Sequence, residues 1–508
     1  MINLDFLTLK AFLTENIDFL IGARIQKIQQ PTRRDFIFSL RNNSESRKLY
    51  INIHPSIYHI AFMSAENETK RWIKIPKQPP MFCMLLRKYL EGFRILDACV
   101  KENERILELH FETLDETGEP RSLCLAIELM GKHSNVILYD RNTMIIIGCA
   151  HNVGADKSRY RELKGGLKYI YPPQKTIFKL PEGLKRQFNG LTSEKINYYL
   201  QSETFSPAIL EDKYTLFAEL LENSIRQNSV NEMIDNYYAD FQFRINFKNK
   251  KDRLCEIVNA KLKKNKNSIA KIETLLAKRS NDEKYKLFGE LLTANLFIKA
   301  DYKQSIELYD YTNNVNVEIE LDETKTMNEN AQRYFKLYSK FKNTKEKSSE
   351  ILNNLKMEKD YLENILYSLE SAYGISDLEE IECELGQENV KEKQQALSTI
   401  HKLNISGFDV YIGKNNREND YIISKLAKDE DYWFHTKQCA GSHVLLKVNE
   451  NTPNEAILYE CAKLAREYSS AKQPSKVGVI YTKRKYIKKP PSAPLGYVTY
   501  KNETEILI

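Results

Sequence analysis

Between residues 328 and 373, Leu352, Leu355, Lys359, Leu362, Leu366, Leu369 and Tyr373 follow one another at alternating three- and four-residue steps. That spacing lays a narrow apolar seam along one side of a helix, and such a seam is stable only against a second helix. A partner is at hand. From about 248 to 300, Leu262, Ile269, Ile272 and Leu276 keep the same spacing. The other faces of both segments are densely charged, which argues against a separate helical bundle. Between them Val315–Leu321 alternates like a strand. The pattern predicts an antiparallel coiled-coil arm over 246–375 carrying a small β insert.

The rest of the chain has to fold around that arm. At 508 residues it is too long for one core and implies two to four domains. A hydrophobic fraction of 42% with 29% charged residues fits soluble globular units, and no apolar run approaches bilayer length. Met1–Glu15 carries Asp5 and Glu15 and lacks the basic start and small-residue cleavage site of a signal peptide. The eight cysteines are scattered with no CxxC pair. That usage fits a reducing compartment, so the cytoplasm is expected, and it argues against a disulfide framework or a zinc module.

Charge is uneven. Formal net charge is only +7, yet 241–280 holds twelve basic residues against three acids. Residues 470–489 hold seven basic residues and no acid, while 377–388 hold six acids and no base. Basic stripes on a near-neutral body suit docking on a phosphate backbone. For any single stripe the simpler reading is a solvated helix face.

Residues 1–175 read as α+β. A helical opening runs from Asp5 to Leu13, strands from Asp35 to Leu40 and from Lys48 to Ile53, and a helix from Met81 to Leu90 begins after Pro79-Pro80 and stops at Gly92. Further strands are expected at Ile106–Glu112, Leu123–Leu129 and Asn135–Tyr139. Residues 176–245 read as short helices, and Phe188–Ile196 resembles a helix-hairpin-helix turn. Residues 376–399 read as an acidic linker. A last α+β domain, 400–508, has strands near Phe408–Ile412, Trp433–His435, His443–Lys447 and Val477–Tyr481, with a helix at Asn454–Ser470. The expected fold class is α+β multidomain.

No catalytic residues are expected, because no phosphate loop, nucleophile elbow or HExxH is present. No metal ligands are expected either. His435 and His443 have no cysteine or carboxylate at metal spacing beside them and read as satisfied structural histidines. Asp115-Glu116 lies in a polar turn. The recurrent chemistry is cationic and aromatic. Arg33-Arg34 follows the Gln29-Gln30-Pro31 turn, Arg159 and Arg161 flank Tyr160, and Lys483-Arg484-Lys485-Tyr486 precedes Lys488-Lys489-Pro490-Pro491. Arginine forks suit phosphate and tyrosine faces suit bases.

Three long motifs sharpen this reading. Gly22–Pro31, Pro79–Gly92 and Glu128–Asn135 resemble the N-terminal domain of the NFACT family. Asn328–Phe335 resembles the start of that family's second coiled-coil helix, and Gly413–Asn416, Asp431–Thr436 and Gly441–Val444 resemble its C-terminal RNA-binding domain, with Ala440 where the family has Pro. The resemblance implies a glycosylase-N-like first domain (1–175) that binds tRNA, a helix-hairpin-helix domain, the arm, and an RNA-binding domain at 400–508. It places tRNA contacts at Asp5, Glu104, Arg105, Lys132 and His133, with Arg159 and Arg161 added from their composition. The family's usual Asp-Arg is Glu104-Arg105 here, and Phe6 stands where a Gly usually follows the helix-start Asp. Contacts to the large ribosomal subunit are expected from Lys261, Lys263, Lys264 and Lys266 on the arm and from Lys483, Arg484 and Lys485. The implied function is rescue of stalled translation: binding of obstructed large subunits, recruitment of alanyl-tRNA, and alanine tailing by the ribosome's own peptidyl-transferase, with no cofactor and no membrane partner.

Two other functions compete. A DNA glycosylase of related architecture needs an N-terminal Pro amine and a zinc finger, whereas this chain begins Met1-Ile2-Asn3. A surface fibronectin- or fibrinogen-binding adhesin, the older name for bacterial members of the family, would need a route of export.

Overall fold

The computed structural model describes residues 4–102, 104–114, 118, 120–156, 158, 160–173, 204–211, 213–220, 222–278, 283–298, 303–386, 400–448, 452–471, 476–491 and 493–508. The chain divides into two units, Met1–Asn246 and Phe247–Ile508.

The first unit opens with helix α1 (Phe6–Leu20), whose N-terminus is capped by the Asp5 carboxylate accepting from the Thr8 amide at 2.7 Å. Strands β1 (Arg24–Thr32), β2 (Asp35–Asn42), β3 (Glu45–Asn52) and β4 (His59–Met63) form an antiparallel meander. Helix α2 (Ala65–Arg71) follows, then α3 (Met81–Leu90), which starts where the two prolines end. A second meander comprises β5 (Ile95–Val100), β6 (Ile106–Leu114), β7 (Pro120–Glu128), β8 (Asn135–Asp140) and β9 (Ile146–Cys149).

One core joins these parts. Phe12 of α1, Phe36 and Phe38 of β2, Leu86 of α3, and Leu107 and Leu125 of the second sheet are all buried together. Alternate residues of each strand face this layer, Phe36, Phe38 and Leu40 on β2 and Leu107, Leu109 and Phe111 on β6. Gly148 on β9 sits against α3: a Cβ there would stand 2.8 Å from Leu85 Cδ1, so a larger residue would make the Leu85 side chain shift. The opposite face of the second sheet holds its own smaller core, including Cys124, Tyr139 and Tyr169.

Short helices were expected across 176–245; of the described residues there, 230–245 are helical, but 208–226 form a three-stranded sheet of β10 (Ala208–Leu210), β11 (Lys213–Thr215) and β12 (Ile225–Arg226). Tyr214, Leu216 and Phe217 are buried in the first unit's core, and this packing outweighs local helix propensity. The proposed hairpin at 188–196 lies outside the described residues. Helix α4 (Val230–Lys278) begins well before residue 248. The reason is a second apolar stripe, Val230, Met233, Ile234, Tyr237 and Tyr238, which packs into the first unit's core. Asp235 on that stretch forms a buried pair with Arg71 of α2 at 2.6 Å and also accepts from the Ser64 amide and Asn67.

In the second unit the remainder of α4 runs antiparallel to a long helix. The intervening chain forms α5 (Glu283–Ala294) and a hairpin of β13 (Ser305–Asp310) and β14 (Val315–Glu320). The long helix is α6 (Met327–Glu370), opened by a capping box between Thr326 and Glu329. Leu254, Val258 and Leu262 pack with Leu362, Ile365 and Leu369. At the other end Leu291, Leu308, Ile319 and Tyr334 form a separate small core. The expected acidic linker departs from its assignment at the start: Ile375–Glu384 is helix α7, because Leu378 and Ile381 are buried on the α4–α6 seam. Its later part, 387–399, lies outside the described residues.

Residues 400–508 form a six-stranded antiparallel sheet. Its strands are β15 (His401–Ile405), β16 (Phe408–Ile412), β17 (Tyr432–Thr436), β18 (Val444–Leu446), β19 (Gly478–Lys483) and β22 (Thr504–Leu507), in the order β15-β16-β18-β17-β19-β22. A small pair, β20 (Ile487–Lys488) and β21 (Thr499–Tyr500), lies beside it in sequence. Helices α8 (Asn416–Tyr421) and α9 (Glu455–Glu467) complete the domain. Trp433 is buried with its ring stacked on His435 and edge-on to His443. Burial lowers the proton affinity of both imidazoles. His435 is satisfied by the Thr436 carbonyl, but Nδ1 of His443 finds no protein partner among the described residues, so only one of the two histidines is satisfied.

Candidate nucleic-acid interface

The β5–β6 turn places Glu104 and Arg105 at one end of the second sheet. The turn is closed by the Glu104 amide donating to the Lys101 carbonyl at 3.0 Å, and the Arg105 carbonyl accepts from the Leu129 amide at 2.8 Å. Arg105 therefore has a fixed backbone. Its guanidinium donates to Tyr58 Oη at 2.6 Å and to the Leu4 carbonyl at 3.4 Å, and lies 5.4 Å over the Tyr58 ring. These partners are neutral, and burial keeps the Tyr58 phenol protonated by raising its pKa. Among the described residues no carboxylate lies within ion-pair distance of Arg105. The guanidinium is oriented yet keeps its charge, which is the state an anion-binding group requires.

Glu104 is half-buried. Burial raises its pKa, Glu128 adds to the rise, and Arg105 and Arg161 oppose it. Asp5 lies next to Leu4 in the chain, and its charge is felt at Tyr58, so the helix-start acid belongs to this neighbourhood.

The turn after β7 closes on the same spot. Gly131 has φ +65°, a conformation that disfavours a side chain, and a Cβ there would meet the Pro55 carbonyl at 3.6 Å and Tyr58 Cε1 at 3.7 Å. The turn exposes Lys132 and His133 to solvent. Next to it Asn135 clamps His151, donating to its carbonyl at 2.8 Å and accepting from its amide at 3.0 Å. His151 has its pKa lowered by burial and by Arg34 and Arg33; His54 is lowered by burial and Arg34. The β1–β2 turn thus brings Arg33 and Arg34 beside two histidines. Arg105 and the turn that carries Lys132 and His133 thus meet around the buried Tyr58, and the charges of Arg33 and Arg34 act on His54 and His151.

Arg161 does something else. It makes a bidentate pair with Glu128 at 2.5 and 2.7 Å, donates to the Ile170 carbonyl, and is nearly buried. Tyr169 also donates to Glu128 at 2.9 Å. Its fork is occupied by a carboxylate rather than open to phosphate. Arg159 lies outside the described residues. In the second unit Lys261, Lys263 and Lys264 are exposed and make no ion pair among the described residues, whereas Lys266 stands 3.2 Å from Glu363. Lys483 and Lys485 both reach Glu430, at 2.8 and 2.7 Å, and hold that carboxyl down to about 2. Arg484 donates to the Ile423 and Ile487 carbonyls.

Sequence reasoning missed Tyr58, His54 and His151. The concentration of polar and aromatic residues in His54-Pro55-Ser56-Ile57-Tyr58-His59, between two strands, is the signal that was available.

A profile of the NFACT N-terminal and middle domains matches residues 5–212 and 177–399, and one of the NFACT protein RNA binding domain matches 400–502. The chain belongs to the NFACT family. Its relatives include the Rqc2 homolog RqcH of Bacillus subtilis (strain 168), 32% identical with 96% of this chain and 95% of that one covered. The Rqc2 homolog RqcH of Streptococcus suis (strain 05ZYH33) is 31% identical, with 96% and 94% covered. Among solved structures, the N-terminal of the fibronectin/fibrinogen-binding protein from Streptococcus suis aligns with TM-score 0.41 and 29% identity, covering 47% of this chain and 100% of that one. As an NFACT protein the chain carries its family's RNA-binding domain in the six-stranded sheet. No described helix is long and apolar enough to cross a membrane.

Proposed function

We propose that this protein is a cytoplasmic ribosome-associated quality-control factor that holds tRNA on large subunits carrying a stalled chain. The observation that carries the reading is the near end-to-end match to proteins named Rqc2 homolog RqcH. The surface around Arg105 supports it: a charge-bearing guanidinium fixed by neutral partners suits a phosphate or a base edge. On this reading Arg105 grips tRNA, Glu104 and Asp5 orient it or accept from a ribose or base, and Lys132 and His133 meet the backbone. Arg161 positions the end of β7 through Glu128 and does not touch RNA.

The antiparallel pair of α4 and α6 acts as a coiled-coil arm, whose exposed Lys261, Lys263 and Lys264 meet the large subunit together with the C-terminal domain. The protein itself makes no bond. Aminoacyl-tRNA carries an activated ester and the peptidyl-transferase centre joins it to the stalled chain, so the factor needs no nucleotide hydrolysis. The residue added is alanine. Sequencing RNA that copurifies with the tagged full chain tests this: one enriched tRNA, alanine-accepting, together with large-subunit rRNA is expected. Recovery of neither would overturn the reading.

A further inference from the structure

The face of the second sheet turned away from the main core gathers a set of groups that tRNA recognition does not use. Strand register creates it. Asp97 pairs with His110 and Cys99 with Glu108 across β5–β6, His110 pairs with Cys124 across β6–β7, and Cys124 pairs with Tyr139 across β7–β8. Directly paired residues share a face, so all six side chains converge.

At the centre, one ligand atom each from Cys99, Glu108 and His110 lies within 4.8 Å of the others. Glu108 Oε2 is 3.8 Å from Cys99 Sγ and 3.8 Å from His110 Nε2. Ligand atoms around a tetrahedral zinc ion are about 3.4–3.8 Å apart, given zinc–ligand bonds of about 2.0–2.3 Å. The outer partners turn the right atoms inward. His110 Nδ1 is 3.3 Å from Asp97 Oδ2, which leaves Nε2 facing the cluster. Tyr171 and Tyr139 donate to Glu108 Oε1 at 2.7 and 3.1 Å, which leaves Oε2 facing it. A carboxylate behind a histidine and hydrogen bonds behind a carboxylate are the outer shell that metal sites use to fix ligand orientation. Cys124 hydrogen-bonds His110 from the next strand and supports the imidazole from outside the three-atom cluster. Cys99 and Asp97 are partly exposed, so an ion has a way in.

We propose that Cys99, Glu108 and His110 bind one divalent cation of borderline softness, zinc by preference, with its fourth position left to solvent. Thiolate with imidazole and a carboxylate selects zinc over magnesium or calcium. The absence of a CxxC pair excludes a knuckle, but not a site whose spacing is set by sheet register, so the expectation of no metal is revised. The ion ties β5 to β6. It thereby staples the hairpin whose turn carries Glu104 and Arg105.

The competing occupant of the same space is a second proton on His110, which also satisfies the acceptors around it. Cobalt(II) distinguishes the two. The full chain, reduced and stripped with chelator, is titrated with Co²⁺. A thiolate charge-transfer band and tetrahedral ligand-field bands should saturate at one equivalent and vanish on adding Zn²⁺. Asp97→Asn, an isosteric change at the exposed rim, should weaken Co²⁺ about 10–100-fold. The Cys99→Ser/Cys124→Ser double variant should lose the charge-transfer band while its circular dichroism spectrum is retained. No saturable band in the reduced protein, or bands unchanged in the double variant and in His110→Gln, overturns the proposal and leaves the cluster as a protonated hydrogen-bond network.

Discussion

The β5–β6 turn and the β19–β20 turn each present arginine or lysine at the end of a sheet, and they differ in what those cations touch. Arg105 is held by a phenol and a carbonyl, so its charge is oriented without an ion pair among the described residues. Lys483 and Lys485 share Glu430, Lys489 pairs with Asp420, and Arg484 spends its donors on carbonyls of its own domain. By composition the second turn is the richer in positive charge. By partners it is the poorer in available charge. What a cation can offer an RNA depends on the group that positions it, and a neutral positioning group leaves the charge free.

The comparison can be broken in order of expected effect. The largest belongs to Arg161, which sits in the same sheet as Arg105 but pairs with a carboxylate. Arg161→Ala should destabilise the protein by about 3–5 kcal/mol, because it strands the buried Glu128 charge. A fall in the urea midpoint at unchanged slope measures it, and a loss of tRNA with full stability would mean that Arg161 belongs with Arg105 after all. Arg105→Ala should weaken tRNA binding about ten- to a hundredfold, since a hydrogen bond to a charged group is worth roughly 1.5–3 kcal/mol. Large-subunit association should persist. Equal loss of both would make Arg105 structural.

Smaller effects are expected in the second unit. Replacing Lys261, Lys263, Lys264 and Lys266 with Glu should weaken cosedimentation with large subunits and flatten its salt dependence, because fewer counterions are released. An unchanged salt series would return this stripe to a solvated helix face. The smallest effect should come from Lys483→Ala with Lys485→Ala, about threefold or less in RNA affinity, since Glu430 already compensates both. The sharper version is Glu430→Gln, which should tighten RNA binding by freeing two lysines. Acid should not mimic it. Glu430 has its pKa lowered to about 2 by the two lysines, so the carboxylate stays charged from neutral to mildly acidic pH and protonates only as pH falls toward that value. A rise in RNA affinity already at mildly acidic pH would contradict the pairing.

Much of the fold could be read ahead of the structure where local chemistry is decisive. Pro79-Pro80 and Gly92 bracket α3, and the expected Met81–Leu90 is the helix observed. Phe408–Ile412 alternates between two turn residues and is a strand at those bounds. The heptad seam announced α6 because a three–four repeat needs no distant information. Readings failed where partners are remote. The early start of α4 depends on a core supplied by α1 and both sheets, and α7 folds because its two buried apolar residues meet a seam that α6 forms with Leu254, Val258 and Leu262 of the distant α4. The site divides the same way. Arg161 looked like a phosphate fork because Glu128, its partner, is 33 positions away, and no local pattern reveals it. Cys99, Glu108 and His110 meet only through strand register, which a one-residue slip would abolish.

The central claim is that tRNA held at the Arg105 surface extends stalled chains. A stalling reporter expressed in cells with the intact protein, with Arg105→Ala and with the gene deleted, followed by mass spectrometry of the reporter's C-terminus, tests it most directly. The account predicts alanine extensions with the intact protein, markedly fewer with Arg105→Ala, and none with the gene deleted. Reporter without extensions in all three strains, under conditions where obstructed large subunits accumulate, or extensions undiminished in the Arg105→Ala strain, would contradict it.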